Sequence, residues 1–318
     1  MIKYVLKRIA LLIFTTFIIM TMCFFMIKSI PLTVRASVGQ DAQKIEAIIQ
    51  ARGYRDPILK QYFVYLGRIF TGDWGIGINM EIGQSVAESF RTRLPATMLV
   101  NVYAMILSIP VGLGLGILAA LKKNKWPDHV ISTGVMIFIS VPSYVYAFLV
   151  QYVFGFKLGL PTTMSSLLDA GGSWLSWKMF VSTIPPVLAL SFGTIAGFAR
   201  YTRAELTEVL TSEFMLLART KGLTRGQATL RHALRNAMVP IFPMILGEFV
   251  GIIGGSLIIE QIFSIPGVGR LYLTAVTALD YDFFMMLTIF YTFIGLAAQL
   301  IVDISYGFID PRIRMGAR

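Results

Sequence analysis

Four polar side chains stand in runs of sequence that are otherwise hydrocarbon: Asn101, Gln151, Glu248 and Gln299. Amides and a carboxyl group set in such runs offer hydrogen bonds and a charge to a polar solute that has to cross a membrane. A charge at the bilayer centre costs about 2.5–3.5 kcal/mol even on the lenient insertion scale, so these groups are candidates for a path rather than for packing. Glu248 is the most informative, because it sits beside Gly247, Gly251 and Gly255 and has no basic partner in its own segment. A protonated acid bonded to a neighbouring helix is the alternative reading. Asp303, Asp310 and Arg312 fall near the end of the last apolar run and are expected to make caps or salt links.

A second constellation is basic. The stretch "SEFMLLARTKGLTRGQATLRHALRNAMVP", residues 212–240, carries Arg219, Lys221, Arg225, Arg231 and Arg235 against one acid, Glu213. Ser212 can cap a helix, Glu213 suits its first turn, Lys221 suits its last, and Gly222 can take the left-handed stop. That predicts a short helix over 213–221. Thr224 and Gln227 have the spacing of a capping box, opening a second helix that runs toward Pro240. A solvated connector is the bland reading, but packed helices need shorter loops than this. Phe214, Met215, Leu216 and Leu223 would be left in water, so a docking surface for a partner is the sharper one.

Other chemistry is excluded by what is missing. Cys23 is the lone cysteine and lies in an apolar run, so neither a disulfide framework nor a cysteine metal site can be built. No Gly-x-x-x-x-Gly-Lys-Ser/Thr occurs, so this chain is not expected to cradle nucleotide phosphates or to bind a cofactor of its own. No nucleophile or metal constellation of a membrane-embedded enzyme is recognisable.

These groups must be positioned by helices in lipid. The 318 residues are 56% hydrophobic and only 14% charged, with a mean hydropathy of +0.71, whereas soluble domains have about a quarter charged residues. The net charge of +11 comes from short clusters beside apolar runs, which is membrane topology rather than a nucleic-acid surface. Six segments are long enough to span: roughly 9–28, 95–121, 130–156, 179–200, 238–263 and 284–309. The first is too long for a signal-peptide core and is read as a retained anchor. The N-terminus, Lys122 to Lys125, the segment from Arg200 to Arg235 and the tail with Arg312, Arg314 and Arg318 share one side, expected to be cytoplasmic, with both termini there.

The expected fold class is therefore all-α, a polytopic membrane protein of six transmembrane helices with a small external helical subdomain. An anchor occupies 1–30, the subdomain 31–94, and a five-helix core 95–318 with a cytoplasmic loop at 201–237. Within the subdomain, Ile45, Ile48 and Ile49 have helical spacing, as do Leu59, Phe63 and Leu66, while "TGDWGIG" (71–77) reads as a turn. Small residues four apart, Gly112 and Gly116, Gly193 and Gly197, and Gly247, Gly251 and Gly255, are expected to let helices pack closely. Pro110, Pro142, Pro185, Pro186, Pro240 and Pro243 can kink or start helices.

Several blocks resemble the permeases of binding-protein-dependent ABC importers, in the dipeptide, oligopeptide and nickel group. "ARTKGLTRGQATLRHALRNAMVP" is similar to that family's cytoplasmic loop. "GGSLIIEQIFSIPGVGRL" (254–271) resembles its "GG..V.E.VF..PG.GRL", and "LIVDISYGFIDPRIR" (300–314) its "L.VDL.Y..LDPRIR". Upstream, "DPILKQYFVYLGRIFTGDWG" (56–75) and the run from Arg93 to Ala120 also match, and the long loop after the first helix resembles the B-type subunit. Two departures stand out: Leu216, Leu217, Ala218 and Gly222 occupy a loop that the wider superfamily writes Glu-Ala-Ala-x-x-x-Gly, and "SIPLTVRAS" replaces the usual "PGDP".

The resemblance implies the type I ABC importer permease fold and a bacterial cytoplasmic membrane location. It implies a homologous C-type permease partner, two cytoplasmic ATPase subunits that use ATP and Mg, an external substrate-binding protein and a peptide substrate. Glu213, Phe214, Leu217, Ala218, Arg219, Lys221, Gly222 and Leu223 would form the contact with the ATPase. A nickel or metal-chelate importer is the nearest rival, and a secondary transporter working alone is the rival from another class. The absence of histidine from the membrane segments favours peptide.

Overall fold

The computed structural model describes residues 2–32 and 42–309. Asp310 and the basic tail with Arg312, Arg314 and Arg318 lie outside the described residues, as does most of "SIPLTVRAS". Every regular element among the described residues is helical, and the only strand-like pairings among them are the isolated bridges Ile76 to Ser85 and Gly77 to Ile82.

The spanning helices follow from the apolar runs. They are α1 (Ile2–Lys28), α4 (Val86–Leu121), α7 (Trp177–Leu210), α10 (Leu234–Gly251) and α13 (Tyr281–Ile309). The short helices α2 (Ala42–Ala51) and α3 (Ile58–Thr71) precede α4, which starts at Val86 rather than near 95. The third expected span is not straight: α5 (Trp126–Ser140) and α6 (Ser143–Val150), continued by a π-helical turn to Lys157, meet at 106°. Pro142 explains the bend, since its ring pushes the preceding residue out of the helical region and Val141 is extended at φ −85°, ψ 128°. On the far side of α7 come α8 (Glu213–Thr220) and α9 (Arg225–Ala228), with a π-helical turn, Thr229–Ala233, leading into α10.

The fifth span also departs from expectation. Its helix ends at Gly251, not near 263, and the chain turns through Gly255 at φ +65° before α11 (Leu257–Ile262) and α12 (Val268–Ala278). A left-handed residue next to a packed carboxylate leaves only glycine as a solution at 255.

Helices α4 and α7 form the most extensive pair. A methyl group on Gly112 would lie 2.7 Å from Phe198 Cβ, and one on Gly116 2.7 Å from the Ala199 carbonyl oxygen, so this small-residue stripe packs as expected. The other two stripes pack only in part: Gly193 meets the Tyr146 hydroxyl at 3.2 Å and Gly255 the Glu260 and Thr97 side chains, whereas Gly247 meets Val302 at an ordinary 3.7 Å and Gly197 and Gly251 meet nothing within 4 Å among the described residues.

Helix α13 packs against α1 and α10. At its start, Asp280 accepts the backbone N–H groups of Ile78, Asn79 and Met80 at 2.7, 2.8 and 3.1 Å, and Asp282 accepts from Ile76 N–H at 3.2 Å and from the Tyr54 hydroxyl. Burial and then the Asp282 charge push the Tyr54 phenol above its usual range. Lys28, at the end of α1, lies over the rings of Tyr54 (4.7 Å) and Tyr281 (4.3 Å). These contacts fix the segment between α1 and α4 to the α12–α13 corner. Burial works against the Asp73 carboxylate, yet the Gly75 N–H and the Arg52 guanidinium hold its pKa below the usual range.

Candidate functional site

The basic stretch forms a hairpin between α7 and α10. Ser212 takes the extended N-cap conformation, φ −76°, ψ 155°, but does not cap α8 through its side chain; its hydroxyl donates to the Val209 carbonyl at 2.6 Å instead. At the other end Gly222 is left-handed, φ +89°, and Gly222 N–H donates to Arg219 O at 3.0 Å. Space is not the constraint there, since nothing lies within 4 Å of a methyl group built on it. The capping box is present: Thr224 Oγ1 accepts from Gln227 N–H at 3.3 Å, and Gln227 Oε1 accepts from Thr224 N–H at 3.1 Å.

The hairpin has two faces. Met215 and Ala218 are buried with Leu223 against Leu206, Ala228, Ala233, Ala237 and Ala120. The small side chain of Ala218 therefore serves close packing inside this chain and is not presented to an outside partner. Phe214, Leu216 (65% exposed) and Leu217 (55% exposed) point outward, and Glu213, Arg219, Lys221, Arg225, Arg231 and Arg235 are exposed around them. Leu216 thus replaces Ala218 among the candidate contact residues.

Within the membrane part, the structure brings together two of the four polar candidates. Asn101 and Ser108 of α4, Thr194 of α7, and Glu248 of α10 with Gly251 and Gly255 line a cavity of about 200 Å³. Asn101 donates to the Thr97 carbonyl at 2.8 Å, one turn back. Glu248 is half-buried, and its side chain has no hydrogen bond or ion pair among the described residues. Gln151 and Gln299 lie elsewhere. Gln151 donates to the carbonyls of Thr162 (2.8 Å) and Ile262 (3.2 Å), tying the bent third span to the following loop and to the end of α11, and Gln299 donates to Asp303 at 2.9 Å. Asp303 in turn pairs with Arg8 at 2.8 Å.

One functional cluster was not found by reasoning on polar residues in apolar runs. Glu260, 2% exposed, accepts from Thr97 Oγ1 at 2.8 Å and from Arg270 N–H at 2.9 Å, and Thr97 Oγ1 accepts from Val268 N–H at 2.8 Å. A methyl group on Gly255, Gly267 or Gly269 would collide with the Glu260 side chain. The glycines and the glutamate of "GGSLIIEQIFSIPGVGRL" are thus one object, a carboxylate enclosed by backbone that fastens α11 and α12 to α4. Gly255 also lines the cavity, so this clamp forms one end of it. The motif contained the signal; only its spatial closure was unreadable.

A bent third span, a glycine-enclosed glutamate after the fifth, and a hairpin before it describe a recognisable architecture. A family model described as binding-protein-dependent transport system inner membrane component matches residues 112–315, and the family's N-terminal model matches residues 1–108. The chain belongs to this permease family. It is similar along its whole length to a dipeptide transport system permease protein of Lactococcus lactis subsp. cremoris, 36% identical over 99% of this chain and 100% of the relative. An oligopeptide transport system permease protein of Haemophilus influenzae is 33% identical over 99% and 100%, and a glutathione transport system permease protein of Escherichia coli strain K12 is 32% identical over 99% of each. As a binding-protein-dependent permease with five to six apolar membrane-crossing helices among the described residues, it is a multi-pass inner-membrane protein. The hairpin and the cavity are thus parts of a permease.

Proposed function

We propose that this permease is one of two membrane subunits of an ATP-driven importer of short peptides. It would pair with a homologous C-type permease, two cytoplasmic ATPase subunits that use ATP and Mg, and an external substrate-binding protein, and would bind no cofactor itself. The chain then divides into an anchor (1–30), an external segment (31–94) that meets the binding protein, and a translocating core (95–318), with both termini on the ATPase side. The relatives' names, which specify dipeptides, oligopeptides and glutathione, support peptide as the substrate class. His129 and His232 are exposed and away from the cavity, which favours peptide over a metal chelate.

One observation carries the reading. Helices α7 and α10 line the cavity with Thr194 and Glu248, and the same two helices enter and leave the hairpin. A force applied to Phe214, Leu216 and Leu217 by an ATPase would therefore reach the cavity directly along α7 and, through the π-helical turn, along α10. Glu248 and Asn101 would meet the peptide's amide and amino groups.

The test is Gly222→Val in the full complex reconstituted in liposomes. A β-branched residue in the left-handed region costs about 1–2 kcal/mol, enough to change a two-state ratio roughly 5- to 30-fold. Peptide imported per ATP hydrolysed should fall by that order while membrane insertion is unchanged. Uptake by this chain alone, without ATP or other subunits, would refute the proposal.

A further inference from the structure

Helix α3 carries an apolar stripe that the fold covers only in part. Leu59, Phe63, Leu66 and Phe70 recur at helical spacing, which would ordinarily make them the inward face. The structure buries the neighbouring arc instead, Tyr62 and Tyr65 with Leu66 and Ile69 packed beside them, and leaves Leu59 64%, Phe63 68% and Phe70 90% exposed. Gln61 and Arg68 lie opposite the stripe, Lys60 and Thr71 are exposed about a quarter-turn from it, and Gly67, four residues after Phe63, borders it. The apolar arc is thus wider than the contact that α3 makes with protein.

The depth of α3 is set by what it touches. Arg8 and Lys28 bracket an uncharged stretch of α1 and stand twenty residues apart, about 30 Å of helix, which equals the hydrocarbon thickness of a bilayer. The Tyr62 hydroxyl bonds Thr21 Oγ1 at 2.7 Å, and the Tyr62 ring packs on Phe24 and Phe25 at 5.3 and 5.2 Å between centroids. Thr21 is seven residues before Lys28, so this contact lies roughly 10 Å inside the membrane boundary. Met22 and Met26, on α1 at the same level, are exposed and belong to a span that is mostly bare in the chain.

We propose that α3 is an interfacial helix, its Leu59, Phe63 and Phe70 arc sunk into the acyl boundary of the leaflet at the C-terminal end of α1. The depth matches the roughly 5–10 Å to which amphipathic helices sink. The occupant of the bare arc is lipid, because the arc continues the lipid-facing side of α1 at that level. The segment after the first span is therefore partly membrane-embedded, and it anchors the Tyr54 and Asp282 contacts at a fixed height above the core.

Spin labels placed singly at Phe63→Cys, Phe70→Cys, Lys60→Cys and Thr71→Cys, in a Cys23→Ala background of the assembled complex in liposomes, test this. Collision with dissolved oxygen should exceed collision with a water-soluble nickel chelate several-fold at 63 and 70, with the opposite order at 60 and 71. All four side chains replaced are exposed, so the core is untouched. Dominant nickel collisions at 63 and 70 would mean water and overturn the proposal. Labels there shielded from both reagents would mean a protein cover, from the binding protein or the second permease, and would overturn it equally.

Discussion

Replacing Thr97 with valine removes one hydroxyl from the clamp around Glu260 and keeps the volume. That hydroxyl donates to the Glu260 carboxylate and accepts from Val268 N–H, both in buried surroundings. Stranding a buried polar group costs about 1–3 kcal/mol. Glu260 keeps its bond from Arg270 N–H, so its loss falls at the low end, and the two groups together cost about 2–4 kcal/mol. Thr97→Ser retains both bonds and loses one methyl group, worth about 0.8 kcal/mol. At roughly 2 °C per kcal/mol for a chain of this size, the valine variant should melt about 4–8 °C below the parent and the serine variant about 2 °C below. Thermal unfolding of the purified complex, followed by loss of the monodisperse peak in size exclusion, reads both shifts. If valine were tolerated as well as serine, the carboxylate would not be held through Thr97 and the account of the clamp would fail.

Two further outcomes follow from exposure and packing. Leu216→Asp together with Leu217→Asp should weaken association with the ATPase subunits at least tenfold in a pull-down, with no change in melting temperature, because both side chains are exposed. A methyl group on Gly116 meets the Thr202 side chain and the Ala199 carbonyl, so Gly116→Ala should cost about 1–3 kcal/mol by overpacking, whereas Gly197→Ala, facing open space, should be neutral or gain up to about 1 kcal/mol in helix propensity; thermal unfolding of the two variants distinguishes them.

The spanning helices were legible because hydrocarbon solvent leaves a long uncharged run no other conformation. The Thr224 and Gln227 capping box was legible because its two bonds are local. What escaped was set by tertiary neighbours. Which arc of α3 is covered depends on Thr21 and Phe24 of α1, not on the stripe itself. Which glycine stripe packs depends on Phe198 and Thr202 presenting bulk to Gly112 and Gly116, while Gly197 and Gly251 have the same local sequence signature and no neighbour. Ser212 had an N-cap's identity and backbone, yet its hydroxyl chose Val209. Gln151 had the composition of a path residue, but the carbonyls of Thr162 and of Ile262 at the end of α11 lay within its reach. Glu260 stood inside a quoted motif, and only closure of the chain brought Gly255, Gly267, Gly269 and Thr97 around it.

The same packing argument predicts which seam of the core must move. Helices α4 and α7 meet through Gly112 and Gly116 at distances that admit no added methyl group, so they behave as one body. Helix α10 differs: it follows a π-helical turn, contains Pro240 and Pro243, and stops at Gly251, so its backbone is interrupted at both ends and in its first half. The cavity lies between that interrupted helix and the α4–α7 pair. A short bifunctional maleimide bridging Met105→Cys on α4 and Gly251→Cys on α10, both lining the cavity, should arrest peptide uptake in the reconstituted complex. Bridging Leu107→Cys and Ile184→Cys, which line a groove between α4 and α7, should leave uptake near the parent rate. Both experiments use a Cys23→Ala background, and mass spectrometry verifies each bridge. Normal uptake with the first bridge closed would mean that α10 does not move against α4, and the seam would have to be sought at the face of Gly197, which meets nothing within 4 Å among the described residues.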